Sequence, residues 1–437
     1  MMKQSKRLSP TLVYADPRGQ VLDAPGIAAA CRWGCRISRI DPAELIPLPQ
    51  GSELYFLPER IAVGFDPSRS DGSVQTLEDC RAVAAFLPSG YSVLSLAAYK
   101  RLPQAPLLPL YTYAAVCWYR GKFHVPAMRV ESDVKHDPDQ FSDAKLRQLA
   151  SRLRKQHPKN RLVAHLADNC ALRYGCANAK NLFYGRWECP IPLSPTCNAA
   201  CIGCISAQPD APISPPQDRL TFVPTVQEVM DIAVPHLESA PRAMISFGQG
   251  CEGEPLLQSD LMGEIIRATR QRTTRGTIHL NTNGSRPDAI EKLCAAGLDS
   301  IRVSLNSAQP EIYARYYRPR LYSFEQVAES IRVAHERGRF TSINYLTFPG
   351  LTDSRDEIAA LSGLIDYTGL DMIQWRNLNI DPDEYIAITG LAADDPAIGM
   401  RSLFDCISRK FASLRYGYVN PPRECWGLDK VGSIATK

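Results

Sequence analysis

Ser194-Pro195-Thr196-Cys197-Asn198-Ala199-Ala200-Cys201-Ile202-Gly203-Cys204 is the stretch whose reading decides the fold. Three cysteines spaced C-x3-C-x2-C follow directly on an apolar run, Pro190–Leu193. Thiolates are the soft ligands an iron–sulfur cluster prefers, and close spacing lets one loop reach three corners of a cubane. With no fourth cysteine in the loop, one iron keeps a position open for a small molecule. The competing readings are a set of buried thiols or half a zinc site. A zinc site usually adds a second ligand pair downstream, and none stands at the usual distance.

Outward from the triplet, toward the C-terminus, strand-like and helix-like patterns alternate. Strand candidates are Pro190–Leu193, Ala243–Phe247, Thr277–Leu280, Ser300–Leu305, Thr341–Leu346 and Met372–Trp375. Between them lie helix candidates at Val226–Leu237, Leu261–Arg272, Pro287–Ala296, Phe324–Arg337 and Arg355–Tyr367, with a proline-rich loop, Ala207–Pro216, delaying the first. Such alternation implies βαβ units and a parallel sheet. Six strands suit an open barrel better than the eight of a full TIM barrel. The fold class is therefore α/β, a partial (βα)6 TIM-like barrel over residues 185–385.

Upstream, the texture differs. Residues 1–135 are rich in proline and short apolar runs. Glu53–Leu57 and Ile61–Phe65 look like strands, and Tyr113–Tyr119, Arg120-Gly121 and Lys122–Val130 like a hairpin, because glycine supplies the positive φ of a two-residue turn. A separate α+β N-terminal domain of unassigned role is expected there. Residues 136–184 read as a helical connector, with Phe141, Leu146, Leu149 and Leu153 at helical spacing. Residues 386–437 read as a short helical extension built on one amphipathic helix near Ile398–Leu414.

With these motifs in order, the chain resembles the radical S-adenosylmethionine (radical SAM) superfamily over roughly residues 185–385. The resemblance implies a [4Fe–4S] cluster on Cys197, Cys201 and Cys204, whose fourth iron chelates S-adenosylmethionine. Reductive cleavage would then yield a 5′-deoxyadenosyl radical that abstracts hydrogen from a substrate, with a reductant such as flavodoxin or ferredoxin as electron source. The family often carries an aromatic residue before the third cysteine; this chain has Gly203. Glu252-Gly253-Glu254-Pro255 resembles the family's GGEP signature, which implies that Glu254 accepts a hydrogen bond from the SAM ammonium while Gly253 allows close backbone approach. By the same resemblance Thr282, Asn283, Ser304 and Asn306, at the ends of two strands, would line SAM. Arg315 or Arg318 would pair with its carboxylate, Arg318 being the chosen candidate. Asn283-Gly284 could equally be a plain turn. Arg376, Asn377 and Asn379 are substrate-side candidates by position alone.

The other cysteines are less readable. Cys170, Cys176, Cys189, Cys406 and Cys425 could hold a second cluster, but their spacing favours buried, unligated thiols. Cys251, beside the SAM-side glutamate, is a speculative mechanistic thiol. No Asp-x-His-x-x-Gly signature precedes residue 185, so cobalamin is not expected.

Composition bounds the rest. In 437 residues, 45% are hydrophobic and 22% charged, which excludes a disordered, collagen-like or coiled-coil chain. A net charge of +4 does not indicate nucleic acid. The longest uncharged stretches, Ala82–Tyr99 and Leu102–Tyr119, are broken by prolines, so no membrane span is expected. Met1–Arg7 is basic, but no apolar run follows it, and a cytoplasmic location is the expectation. The substrate is open; peptide or protein modification and cofactor biosynthesis are favoured. The alternative is an iron–sulfur electron-transfer or binding protein without SAM cleavage.

Overall fold

The computed structural model describes residues 9–67, 72–209, 211, 213–392 and 397–427. The basic N-terminal run Met1–Arg7 lies outside them, as do Asp210 and Pro212 of the proline-rich loop. Two compact units emerge. One comprises Met1–Arg129, Thr347–Ile358 and Asn377–Lys410; the other comprises Val130–Leu346, Ala359–Arg376 and Phe411–Lys437.

The second unit is built on strands β1 (Glu188–Ile191), β2 (Met244–Phe247), β3 (Thr277–Thr282), β4 (Ser300–Leu305), β5 (Phe340–Thr347), β6 (Met372–Asn377) and β7 (Arg415–Gly417). They lie side by side in sequential order. The pairs β1–β2, β2–β3, β3–β4, β4–β5 and β6–β7 are parallel. Every residue of β1, β2 and β3 is buried, as in a parallel sheet covered on both faces; β2 is nearly all apolar, whereas β3 alternates apolar Ile278 and Leu280 with buried polar Thr277, His279 and Asn281.

Helices α1 (Val226–Ser239), α2 (Ser259–Arg272), α3 (Pro287–Ala296), α4 (Pro310–Tyr317) and α5 (Phe324–Glu336) connect successive strands. Thr225 and Glu228 form a capping box at the start of α1, and Ser323 and Gln326 one at the start of α5. Helix α3 stops at Gly297, whose φ of 113° closes the C-terminus. The pairs α1–α2, α2–α3 and α3–α5 pack directly on each other. Parallel crossovers are right-handed, so an unreversed strand order keeps these helices on one face of the sheet. The loops at the strand C-termini then gather along one rim.

Strand β7 departs from expectation. The tail was expected to be helical, with a helix over Ile398–Leu414; the helix runs only Met400–Lys410, and Arg415–Gly417 adds a seventh strand beside β6. Three residues with one polar end carry no periodicity to read.

The first unit differs more. Among its described residues up to Arg129 there are strands and a 3-10 turn at Pro42–Glu44, and no α-helix. The expected α+β N-terminal domain is therefore all-β through Arg129; the unit's helices, Pro382–Thr389 and Met400–Lys410, come from later in the chain. Eleven strands form one sheet, dominated by Val21–Trp33, Glu53–Phe65 and Val74–Phe86. The two strand candidates at 53–57 and 61–65 are one strand: Glu59, with φ 52°, sits in a bulge where the register shifts between Phe56 and Ile61. The Arg120-Gly121 turn has both φ angles positive (49° and 80°) and joins Cys117–Tyr119 to Lys122–Arg129 in the expected hairpin. Arg60 and Asp381 form a fully buried ion pair at 2.7 Å. Asp381 also takes the Leu108 N–H, and Arg60 donates to the carbonyls of Pro58 and Pro106, so the charges are not left to desolvation alone. No helix among the described residues is long and apolar enough to cross a membrane.

Candidate active site

The cysteine loop leaves β1 and is pinned from two sides. On one side, Gly253 N–H donates to the Ser194 carbonyl (2.7 Å) and Glu254 N–H to that of Thr196 (2.8 Å). On the other, Ala200 and Ile202 donate their N–H groups to the carbonyls of Tyr317 and Tyr316 at the end of α4, both at 3.1 Å. Arg320 N–H reaches the Asn198 carbonyl at 2.8 Å. The loop's backbone is thus committed to its neighbours, while all three cysteines are only partly buried as residues. Burial, with the Glu254 charge adding to it, pushes the Cys197 thiol up to about 11. Cys201 is raised by burial and by the charges of Cys204 and Cys197. Cysteines in one loop whose neighbours oppose their ionisation are a donor set that a positively charged metal centre relieves.

Glu254 gathers the ends of β2 and β3. Its carboxylate accepts from the Leu256 N–H (3.0 Å), the Thr282 hydroxyl and the Asn283 N–H (2.8 Å). Burial lifts it to about 7 against the pull of those donors. Asn283 Nδ2 donates to Asn198 Oδ1 (2.8 Å), and Asn198 Nδ2 to Ser285 Oγ (3.0 Å). Cys197, Gly253, Glu254, Thr282 and Asn283 are therefore brought together on one rim. Ser304 and Asn306 lie further along it, with Asn344 Nδ2 at 3.5 Å from Ser304 Oγ and the Asn306 amide directed to the Ile312 carbonyl at 3.5 Å.

Of the remaining candidates, Arg318 flanks the cysteine loop, between Tyr317 and Pro319, which pair with that loop. Arg318 is exposed, with φ 47° at the C-terminus of α4, and Arg315 lies 3.9 Å from Glu311 on the exposed face of that helix. Arg376 stacks on the Tyr418 ring at 4.6 Å. Asn377 brackets the 91–93 backbone, accepting from Val93 N–H and donating to the Tyr91 carbonyl, both at 2.9 Å. Asn379 accepts from the Thr112 hydroxyl. Both asparagines spend their amides inside the first unit. Cys251 is buried between Cys170 and His165.

Two features escaped the sequence reading. Glu252 accepts from the N–H groups of Leu193 (2.6 Å), Ser194 (2.8 Å) and Gln249 (2.6 Å), so it ties the start of the cysteine loop to the end of β2. Its acceptor role depends on backbone groups some sixty residues away, and no motif signals it. A tyrosine cluster also backs the loop. Tyr313 stacks on Tyr317 at 4.5 Å, Tyr316 meets Tyr317 edge-on at 5.1 Å, and Tyr313 and Tyr322 share a hydroxyl contact at 3.2 Å. The buried Tyr317 hydroxyl has no hydrogen-bond partner among the described residues, and its pKa is raised by burial first, then by its neighbours Tyr316 and Cys201. The cluster's signal is Tyr313-x-x-Tyr316-Tyr317, one face of a helix, interrupted by Arg315 and followed by Arg318.

Residues 191–361 match the family model described as Radical SAM superfamily, and the chain carries a radical SAM domain over that span. Molybdenum cofactor biosynthesis protein 1 of Bos taurus is 28% identical over 196 residues, which is 43% of this chain and 29% of that protein. GTP 3′,8-cyclase of Streptomyces coelicolor is 30% identical over 174 residues, 39% of this chain and 48% of that one. The chain thus spans less than half the length of these curated relatives. Among solved structures, Streptococcus suis SuiB bound to S-adenosylmethionine is similar over 70% of each chain, at 13% identity and a TM-score of 0.38.

Proposed function

We propose that this chain, which carries a radical SAM domain over residues 191–361, is a radical SAM enzyme acting on a substrate of the cofactor-biosynthesis or peptide-modification class. The observation that carries the reading is the joint pinning of the cysteine loop and Glu254: one rim holds a three-cysteine loop and a buried carboxylate already fixed by Thr282 and Asn283. These residues fit a [4Fe–4S] cluster on Cys197, Cys201 and Cys204. The orphaned Tyr317 hydroxyl beside the loop argues for the same fit, and Gly253, whose missing Cβ admits the Thr196 carbonyl, lets the loop lie against the Glu254 segment. When bound, the cluster and S-adenosylmethionine supply a 5′-deoxyadenosyl radical after one-electron reduction.

This chain's residues do the positioning. Glu254 keeps acceptor capacity for a ligand ammonium, since a carboxylate offers about four lone-pair sites and three are in use. Thr282 and Asn283 hold that carboxylate in one orientation. Gly253, Thr282, Asn283, Ser304, Asn306 and Arg318 are the proposed SAM-side set, of which Arg318 has the weakest support because it is exposed. The tyrosine cluster screens the thiols from water on the α4 side. We read the sequential parallel sheet as the wall of an open (βα)6-type barrel, extended by β7. The first 135 residues would grip the substrate or a partner, and a flavodoxin- or ferredoxin-like reductant would feed electrons to the thiol loop. The names of the molybdenum-cofactor relatives favour cofactor biosynthesis within the two substrate classes.

The test is 5′-deoxyadenosine formation by anaerobically reconstituted, dithionite-reduced protein, beside a Cys197/Cys201/Cys204→Ala variant. Product in the wild type and none in the variant is expected, with cell extract as the substrate source. Iron bound at full occupancy with no product under either condition would sink SAM cleavage and leave the electron-transfer alternative.

A further inference from the structure

We propose that His165, Cys170 and Cys251 form a second, mononuclear metal site for a zinc-class divalent cation, separate from the Cys197–Cys204 loop. Cys251 Sγ lies 3.5 Å from Cys170 Sγ and 3.4 Å from His165 Nε2, and the three donor atoms all fall within 4.8 Å of one another. With Zn–S near 2.3 Å and Zn–N near 2.0–2.1 Å, a tetrahedral site has S···S edges of about 3.8 Å and S···N edges of about 3.6 Å. The two separations at Cys251 sit within about 0.3 Å of those edges and the third is under 4.8 Å, so the three donors already approximate one face of a tetrahedron.

The donors are assembled from distant parts of the chain. His165 ends the helix Arg161–His165, and Cys170 lies in the π-helical stretch Leu166–Arg173 that continues it. A π turn, bonded from residue i to i+5, is rare and is found mostly at functional sites. Here its wider turn (Tyr174 N–H to the Asn169 carbonyl, 2.8 Å) sets residues 165 and 170 on one face. Cys251 arrives from the loop after β2, held by the Leu220 N–H on its carbonyl at 2.7 Å. All three side chains are buried, at 9%, 3% and 4% exposure. No carboxylate competes in the cluster, and thiolate plus imidazole is the donor set of structural zinc.

A second ligand shell is also in place. Asn169 Nδ2 lies 3.1 Å from His165 Nδ1. Turning that amide by half a rotation offers Oδ1 to an Nδ1–H, which leaves the Nε2 lone pair for the metal. The Phe222 ring stands edge-on to the imidazole at 6.2 Å and fixes its plane. Cys176, whose N–H reaches the Cys170 carbonyl at 2.8 Å, caps the start of the next helix, and the cluster itself supplies three protein donors. An ion here would clamp the 161–176 segment to the loop that carries Glu252 and Glu254. Its binding displaces the thiol protons and involves no redox step.

The experiment uses the full chain purified anaerobically, with the Cys197/Cys201/Cys204→Ala variant as the iron-free background. Zinc and cobalt content per chain are measured after dialysis, followed by the thiolate-to-cobalt charge-transfer absorption. About one equivalent bound in both wild type and background is expected, with at least a tenfold loss of affinity in Cys170→Ala, Cys251→Ala and His165→Ala. Should those variants fail to fold, competition of the wild type against a chromophoric zinc chelator, read with its thermal midpoint, carries the same test. Three outcomes overturn the site: reduced wild-type protein that takes up neither ion, a Cys170–Cys251 disulfide in the native chain, or unchanged affinity in Cys251→Ala. Loss of 5′-deoxyadenosine formation with this zinc retained would count against the radical SAM reading alone.

Discussion

A Cβ on Gly253 would lie 1.9 Å from the Thr196 carbonyl oxygen and 2.4 Å from its carbon, and backbone on both sides leaves nothing flexible to yield. That approach is what lets Gly253 and Glu254 hydrogen-bond to the segment leading into Cys197. Gly253→Ala should therefore cost about 1–3 kcal/mol, the usual penalty of overpacking, and should lower reconstituted iron and sulfide per chain because the thiol loop is pushed away. Gly363 has nothing within 4 Å of its Cβ position and lies in the helix Arg355–Thr368, so Gly363→Ala should stabilise by about 0.5–1 kcal/mol and leave iron untouched. Urea melts and iron assays on the pair check both signs. If Gly253→Ala loads a full complement of iron, the cradle argument fails. At this scale the sequence was readable where a residue's chemistry is its own, as with three thiols in one loop or an acidic residue before Pro255. It was unreadable where the role is conferred by a distant partner. Glu252 is an acceptor for Leu193 and Ser194, and His165 is paired with Cys251, only because the chain folds back on itself.

Helix α1 shows how an element is set by its ends. Glu228 completes the capping box with Thr225 and also takes Arg161, through Nε at 2.9 Å and Nη2 at 2.7 Å. The Arg161 guanidinium is the main reason the Glu228 carboxyl is held down at about 2, from an ordinary 4.5. A depressed carboxylate adds stability above its unfolded pKa and loses it as pH falls toward the folded value. Glu228→Gln should thus be less stable than wild type by about 1 kcal/mol at pH 6, a modest figure because Arg161 is half exposed, and the gap should close between pH 4.5 and 2. A gap that persists unchanged at pH 2.5 would assign the effect to packing. Elements with such local signals were legible: α3 and β4 run over the residues their patterns indicate, and the 120–121 turn needs only its glycine. Those without were not. The polar Pro58-Glu59-Arg60 interruption reads as a strand end, yet the bulge carries the strand through it, because Arg60 turns inward to Asp381.

Stability against acid is a property of the whole fold, and here it rests on two histidines kept neutral in the core of the larger unit. His279 bonds Ser300 Oγ at 2.7 Å and Asn281 Oδ1 at 3.0 Å, and His136 bonds Asn178 Oδ1 at 2.8 Å. Around them, Arg302 donates to Gln374 and Asn420, Lys135 donates to the Asn420 carbonyl, and Glu188 accepts from Asn178. Burial first, then the cations Arg302 and Lys135, with Arg376 also acting on His136, lower both imidazoles to about 3 from an ordinary 6.5. The unfolded chain takes up two protons as pH falls through 6.5, and the folded chain does not until about 3. The share of stability due to these two histidines is therefore full above pH 6.5 and drains below it, by up to about 1.4 kcal/mol per pH unit for each. Glu254 and Glu252, lifted to about 7 and about 8, act in the opposite direction over part of this range, so the histidine term is read as a difference between proteins that share them. Between pH 7.5 and 5 this is separable from the Glu228 effect, which begins only near 4.5. His279→Gln removes one of the two protons, so its unfolding free energy should fall less steeply across that window than that of the wild type, whatever its level at pH 7.5. The slope is the readout, because losing the Ser300 bond shifts the level of the curve without tilting it. Parallel curves for the two proteins would mean that His279 takes up its proton in the folded state, and that this polar interior opens to water well before the fold gives way.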